Sequence, residues 1–136
     1  MFKYIRTLNT TATPEIMYVK TGADFAIVEG ALFTVDEYGY AINMLSEFKP
    51  YYLALEEKVQ DDTKTKIRCM RVSPDMLFEV DVFSDENTGV ATGICVSIAT
   101  DENSCYAKAT LSSGSQLEII DPNNYQKTAK LIVTFI

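Results

Sequence analysis

Residues 66–83 read Lys-Ile-Arg-Cys-Met-Arg-Val-Ser-Pro-Asp-Met-Leu-Phe-Glu-Val-Asp-Val-Phe, and this stretch decides the fold class. From residue 77 to residue 83 the side chains alternate, with Glu and Asp between apolar positions, which is typical of a half-buried β-strand. Residues 66–72 alternate in part, and the Ser-Pro-Asp sequence at 73–75 favours a turn because proline fixes its own φ. Two short strands around a turn predict β structure.

The rest of the chain repeats this pattern of short apolar segments and turn sequences. No amphipathic helix of ten or more residues is visible, although residues 40–45 also fit the start of a short helix. Gly30 is expected in a bulge or a tight turn. The predicted strands are residues 16–20, 25–28, 32–35, 40–45, 51–55, 66–72, 77–83, 93–99, 104–110, 116–120 and 130–136. We expect an all-β protein, a single small β-barrel or sandwich of short, mostly antiparallel strands.

The chain length and composition fit one domain with an extension. The 136 residues are 47% apolar and 23% charged, as in an ordinary globular protein. Residues 1–15 contain few core-forming side chains, so we predict an extended N-terminal arm that orders on contact with a partner. Residues 16–136 would form the barrel or sandwich. The apolar final segment must be paired and covered, because an open edge would aggregate.

The charge balance argues against some classes of partner. Twelve Lys and Arg against nineteen Asp and Glu give a net charge of −7, which argues against nucleic-acid binding and against an anionic membrane surface. No Lys or Arg lies between Arg71 and Lys108. The acidic residues in that interval form solvated strand faces and turns, or a patch that meets a basic partner. No signal peptide or membrane-length apolar run is visible.

The residues available for chemistry are few. The chain has no His, which removes imidazole general bases, His metal ligands and the Ser-His-Asp triad. Its three cysteines, Cys69, Cys95 and Cys105, are an odd number without Cys-x-x-Cys spacing, so neither zinc nor disulfides are supported, and Cys95 is expected to be a small buried apolar residue. No nucleotide-binding glycine loop is present. We expect no catalytic site, no cofactor and no metal.

Acidic pairs and tyrosines leave two alternatives open. The residues of each acidic pair are adjacent in sequence, so on a strand they point to opposite faces and do not converge as a catalytic carboxylate pair. At turns they serve mainly as caps. The pairs are Glu56-Glu57, Asp61-Asp62, Asp85-Glu86 and Asp101-Glu102. Calcium at the similar turns 84–87 and 100–103 is one alternative. The other is carbohydrate stacking on exposed tyrosines, whereas a core role predicts burial; the tyrosines concerned are Tyr38, Tyr40, Tyr51 and Tyr52.

The order of the segments is similar to that of a known family. A Pro-Tyr-hydrophobic strand comes first, then a basic strand leading into Arg-Val-Ser-Pro, then a Phe-Glu strand, and the chain ends in a short hydrophobic strand. This order resembles the small capsid decoration, or cement, proteins of tailed bacteriophages. The resemblance covers about residues 25–136, and its segments are residues 29–32, 49–56, 66–79, 90–96, 113–120 and 130–136.

The resemblance implies a non-enzymatic structural protein that binds the outer surface of an assembled phage capsid and stabilises it. Its partner would be the major capsid protein, its location the virion after synthesis in the host cytoplasm, and its oligomeric state a homotrimer. We expect the arm to dock by backbone pairing and two charges, through Phe2, Lys3, Tyr4, Ile5 and Arg6. The alternative function is a carbohydrate- or host-binding β-module of a phage tail or baseplate.

Overall fold

The fold is all-β, as predicted. A computed structural model describes residues 2–8, 14–43, 51–81, 95–100, 107–113, 117–121 and 130–135, with the backbone alone for 95–100, 107–113 and 121. These residues contain no helix, and every ladder between their strands is antiparallel. The strands are β1 (Phe2–Thr7), β2 (Ile16–Lys20), β3 (Leu32–Val35), β4 (Ala41–Ile42), β5 (Tyr52–Ala54), β6 (Lys66–Arg71), β7 (Met76–Asp81), β8 (Cys95–Thr100), β9 (Ala107–Ser113), β10 (Leu117–Asp121) and β11 (Lys130–Phe135).

The chain forms two compact units, each built on one sheet. The first unit contains a six-stranded sheet in the order β1-β7-β11-β10-β8-β9, and the second a five-stranded sheet in the order β2-β6-β5-β3-β4. Strands β6 and β7 are consecutive in sequence but belong to different sheets. Within the described residues no ladder closes either sheet into a barrel. The choice between a barrel and a sandwich stays a prediction.

In the six-stranded sheet, β7 and β11 are both paired on two sides. β11 lies between β7 and β10, and β7 lies between β1 and β11. Phe78 and Val80 of β7 are fully buried, as the alternation predicts. The opposite face is less solvated than predicted, because Leu77 is buried. On that face the Nζ of Lys130 lies 3.6 Å from Oε1 of Glu79 and 3.5 Å from Oδ1 of Asp81. The fully buried residues of the neighbouring strands are Leu117, Ile119, Leu131 and Val133.

For residues 2–7 the structure differs from the predicted arm. These residues form β1, which pairs with β7 over Phe2↔Val80 to Thr7↔Met76. Phe2 is 3% exposed and contacts the rings of Phe78 and Phe135 at centroid distances of 6.3 and 5.5 Å. The segment has few apolar residues, but a strand needs only one at every second position to pack one face. The rest of the predicted arm is described only at residues 8, 14 and 15.

The five-stranded sheet covers an aromatic and aliphatic core. β2 and β3 have the predicted bounds, and Gly30 lies in a turn with a φ of 87°. Residues 25–28 do not form the predicted strand: Ile27 makes only a single bridge to Lys58, because the facing chain turns at residues 59–62. The buried core residues are Val19, Phe25, Ile27, Ala31, Phe33, Ala41, Tyr52, Ala54, Ile67 and Cys69.

Several predicted features fall wholly or partly outside the described residues. These are the ends of the predicted strands at residues 44–45, 82–83, 93–94, 104–106, 116 and 136, and the two turns considered for calcium. The side chain of Cys95 and the whole of Cys105 also lie outside them. Among the described residues no helix is long and apolar enough to cross a membrane.

Removing residues 133–136 should leave mostly insoluble protein. The deletion takes Val133 and Phe135 from the core, leaves the edge of β10 unpaired over most of its length and removes the β11 partner of Phe78. The soluble fraction after expression and the thermal melt measure this effect. Lys130→Gln, which keeps β11 at full length, is the control and should stay soluble. A soluble truncated protein with a cooperative melt would contradict the role given to β11.

Candidate functional site

The predicted docking residues all lie on β1, an edge strand of the six-stranded sheet. Phe2 and Tyr4 face the core, where Tyr4 packs on Phe78 at a centroid distance of 5.9 Å. Lys3, Ile5 and Arg6 are exposed, Ile5 to 43%. The structure therefore divides the five residues into two that anchor the strand and three that a partner can reach.

A β-bulge determines which β1 side chains point outward. The register runs Tyr4↔Phe78 and then Arg6↔Leu77, so Ile5 has no opposite residue on β7. This extra residue returns Thr7 to the side of Tyr4, and the two hydroxyl oxygens lie 2.8 Å apart. Bulges and lysines on edge strands hinder pairing with a further strand. The β1 edge therefore offers a partner mainly side chains, because its row of backbone hydrogen-bonding groups is irregular.

The four tyrosines considered for carbohydrate stacking divide equally. Tyr51 and Tyr52 are buried, and Tyr52 stacks on Phe33 at a centroid distance of 5.5 Å, so both belong to the interior. Tyr38 is 73% exposed and Tyr40 is 42% exposed. They lie in the turn before β4, where Oδ1 of Asp36 accepts hydrogen bonds from both of their backbone amides at 2.9 Å. Only this second pair offers rings to a ligand.

A group of cations and aromatic rings, which sequence reasoning missed, lies on β2 and β6 and includes Tyr40, which forms a single bridge with Lys20. We call it the cationic face, and its members are Tyr18, Lys20, Tyr40, Lys66 and Arg68. The register places Tyr18 opposite Arg68 and Lys20 opposite Lys66. The Nζ of Lys66 lies 4.6 Å from the centroid of Tyr18, and that of Lys20 lies 4.9 Å from the centroid of Tyr40. Residues 16–20 read Ile-Met-Tyr-Val-Lys, which does not alternate in polarity, so the pairing with β6 was needed to reveal the face.

The cationic face has no anionic counterpart among the described residues. Lys20, Lys66 and Arg68 form no ion pair there, although the chain carries a net charge of −7. Glu56 accepts a hydrogen bond from the backbone amide of Arg68 at 2.9 Å, so it contacts this strand through the main chain. Like charges directly opposite each other destabilise a strand pair, and Lys20↔Lys66 is such a pair.

Lys58 is a second feature that the sequence did not reveal. Its side chain is fully buried, and its Nζ donates hydrogen bonds to the carbonyl oxygens of Phe25 at 2.8 Å and Val59 at 3.3 Å. Oδ1 of Asp62 lies 3.4 Å from the same nitrogen. A buried ammonium requires such partners. Since the backbone of Lys58 also exchanges two 2.9 Å hydrogen bonds with Ile27, this residue fastens two loops of the second unit together.

Asp62 completes this network near the surface. Partial burial opposes ionisation of its carboxyl group, but hydrogen bonds from the backbone amides of Lys64 and Val59, with the hydrogen bond and charge of Lys58, outweigh that effect. The pKa of Asp62 is therefore lowered from its usual value. Within the adjacent pair Asp61-Asp62, Asp62 thus caps a loop, as the turn interpretation predicts.

The remaining reactive groups show no arrangement for chemistry in the part of the chain that the structure describes. There, no three Cys, Asp or Glu side chains group closely enough to hold a metal ion. Cys69 is buried in the core, and burial raises the pKa of its thiol to about 12. Its thiol stays protonated at neutral pH and packs as an apolar group.

Comparisons with known proteins identify no relative. No protein-family model matches the chain, and neither the curated proteins nor the solved structures include a match.

Replacing Lys58 with methionine should destabilise the protein by about 2–3 kcal/mol. The change keeps an unbranched side chain only one atom shorter, but it leaves the Phe25 carbonyl without its donor and Asp62 without its cation. Urea unfolding measures the difference. Lys64→Met, an exposed lysine of the same loop, is the matched control and should change stability by less than about 0.5 kcal/mol. Equal effects of the two substitutions would show that the buried network contributes nothing of its own.

Asp62→Asn should make the free energy of unfolding depend less on pH in the acidic range. The pKa of Asp62 is lower in the folded than in the unfolded state, so its ionised form stabilises the protein at pH values above the unfolded-state pKa. This stability is lost as the pH falls through the folded-state pKa. The variant should be less stable than wild type at neutral pH and lose less stability on acidification to about pH 3. Asp61→Asn is the control, since asparagine tolerates the φ of 61° at that position. Parallel wild-type and Asp62→Asn profiles would contradict this role.

Proposed function

We propose that the protein is a non-enzymatic structural protein that binds the outer surface of an assembled phage capsid through the β1 edge. The observation that carries this proposal is the division of β1 into anchored and exposed residues. Phe2 and Tyr4 fix the strand to the core, so Lys3, Ile5 and Arg6 are presented without a large loss of conformational freedom on binding. The resemblance of residues 25–136 to capsid decoration proteins supplies the class of partner, the major capsid protein.

The proposed action is that of a clamp. A protein that binds the assembled lattice but not the free subunits adds its binding free energy to the stability of the shell. Many copies on one lattice act together, so a modest contact per copy is sufficient. The β1 edge supports such a contact through two cations around an apolar side chain, in a strand held by a ladder on its other side. Acidic and apolar groups on the capsid would complement it.

The finer structural and cellular features belong to the same proposal. The all-β fold would be a single small β-barrel or sandwich of short, mostly antiparallel strands. The protein would act as a homotrimer on the virion surface, after synthesis in the host cytoplasm. Neither nucleic acid nor membrane would be a partner, in keeping with the net charge of −7.

A second candidate is a carbohydrate- or host-binding β-module of a phage tail or baseplate. The exposure of Tyr38 and Tyr40 favours it, since rings in a rigid turn can stack on sugar faces. Lys20 lies over the ring of Tyr40, however, and covers one of its faces. Tyr38 is therefore the freer platform, and loss of binding to a host polysaccharide in a Tyr38→Ser variant would support this candidate instead.

Co-sedimentation with expanded phage heads tests the capsid proposal. Deleting residues 1–8 would remove a whole strand and the buried Phe2, so charge reversal is the sharper change. We expect Lys3→Glu with Arg6→Glu to lower occupancy about tenfold, because each loses attraction and adds repulsion at the interface.

The matched control is Lys64→Glu with Arg71→Glu, which changes the net charge equally at exposed positions of the second unit. It should leave occupancy unchanged. Wild-type protein that fails to sediment with the heads would overturn the function, and equal losses in the two double variants would overturn the assignment to β1.

A further inference from the structure

The second unit has an edge strand of a different kind from β1. Strand β2 ends the five-stranded sheet and forms a ladder only with β6, in an unbroken register from Ile16↔Met70 to Lys20↔Lys66. Among the described residues its other side is engaged only at Lys20, by the single bridge to Tyr40. The backbone groups on that side between Ile16 and Val19 are available for another strand.

Over residues 16–19, β2 lacks the features that protect β1 from strand addition. β1 carries a bulge and two cations, whereas residues 16–19 read Ile-Met-Tyr-Val, without a charge, a proline or a bulge. β-branched and aromatic residues favour strands, and a regular, uncharged edge is a template for an extended peptide. Of these two edge strands, β2 is therefore the more receptive to strand addition.

The side chains of β2 define the chemistry of the incoming segment. Ile16, Tyr18 and Lys20 alternate along the exposed face, from an apolar to a cationic end. The two opposed lysines of the cationic face lie over tyrosine rings and repel each other. Because the Nζ of Lys66 lies over the ring of Tyr18 on β2, a carboxylate on a strand beside β2 would reduce this repulsion.

We propose that β2 is a docking strand for an extended acidic segment of a partner protein. The segment adds beside β2 through main-chain hydrogen bonds. Its carboxylates, at every second residue, complement the positive charge of the cationic face, and an apolar side chain covers Ile16. A free strand edge favours a peptide over an acidic polysaccharide, since only a peptide continues the ladder. This inference does not depend on the capsid proposal, which concerns β1.

A synthetic peptide provides the test. The peptide Val-Glu-Val-Glu-Val-Glu-Val-Glu-amide, with fluorescein on its N-terminal amine in place of an acetyl group, is titrated with the isolated protein and followed by fluorescence anisotropy. We expect saturable binding that weakens with added salt, and hydrogen exchange should show new protection of β2 amides. The Lys20→Glu/Lys66→Glu variant should bind about tenfold more weakly. The Lys3→Glu/Arg6→Glu variant, altered equally in charge on β1, should bind as wild type does.

Two further probes separate strand addition from simple charge attraction. The same peptide with N-methylated valines cannot donate from one edge, and it should bind at least tenfold more weakly. Heparin represents a sulfated polysaccharide and should bind without protecting β2. Equal binding of the N-methylated peptide, or no new protection of β2, would overturn the proposal. If the charge-reversed variant does not melt cooperatively, Lys20→Gln/Lys66→Gln replaces it and should still weaken binding.

Discussion

Strand β7, with neighbours on both sides, is the constraint on which the first unit depends. It pairs with β1 on one side and β11 on the other, so it joins the first and last described strands of the chain. One phenylalanine from each strand meets the others, and the three centroid distances lie between 5.3 and 6.3 Å. Burial of these rings stabilises pairings between segments far apart in sequence. Such non-local pairings are slow to form, because segments far apart in sequence must meet before β1 and β11 can pair with β7.

The sequence was most informative where local rules act alone. β2 and β3 have the predicted bounds, and Gly30 lies in a tight turn with positive φ. β1 was missed because the bulge at Ile5 breaks the period of two, so Phe2, Tyr4 and Thr7 did not read as one face. The turn at 73–75 was recognised, but a turn sequence does not say whether the next strand joins the same sheet. That choice depends on distant partners, which for β7 are β1 and β11.

The candidate sites also depend on strand pairing that the sequence alone does not reveal. Lys3, Ile5 and Arg6 could be named from the sequence, but which β1 side chains are buried depends on the register with β7. The cationic face requires the pairing of β2 with β6, which brings together residues almost fifty positions apart. Lys58 resembled any surface lysine, since nothing local distinguishes a buried ammonium from a solvated one. Each of these sites is a product of tertiary pairing.

The two contacts proposed at the edge strands β1 and β2 would depend on different physical interactions. At β1 the bulge interrupts the backbone row, so a partner meets mainly two cations and one apolar side chain, a contact that salt screens and that tolerates small shifts of position. At β2 the regular ladder continues to the sheet edge, so a partner must match strand direction and the two-residue period before its charges can pair. Electrostatic contacts of the first kind favour rapid encounter with a broad surface, whereas strand addition selects a particular extended segment. A protein with both edges can therefore combine a tolerant contact with a selective one, each on its own compact unit.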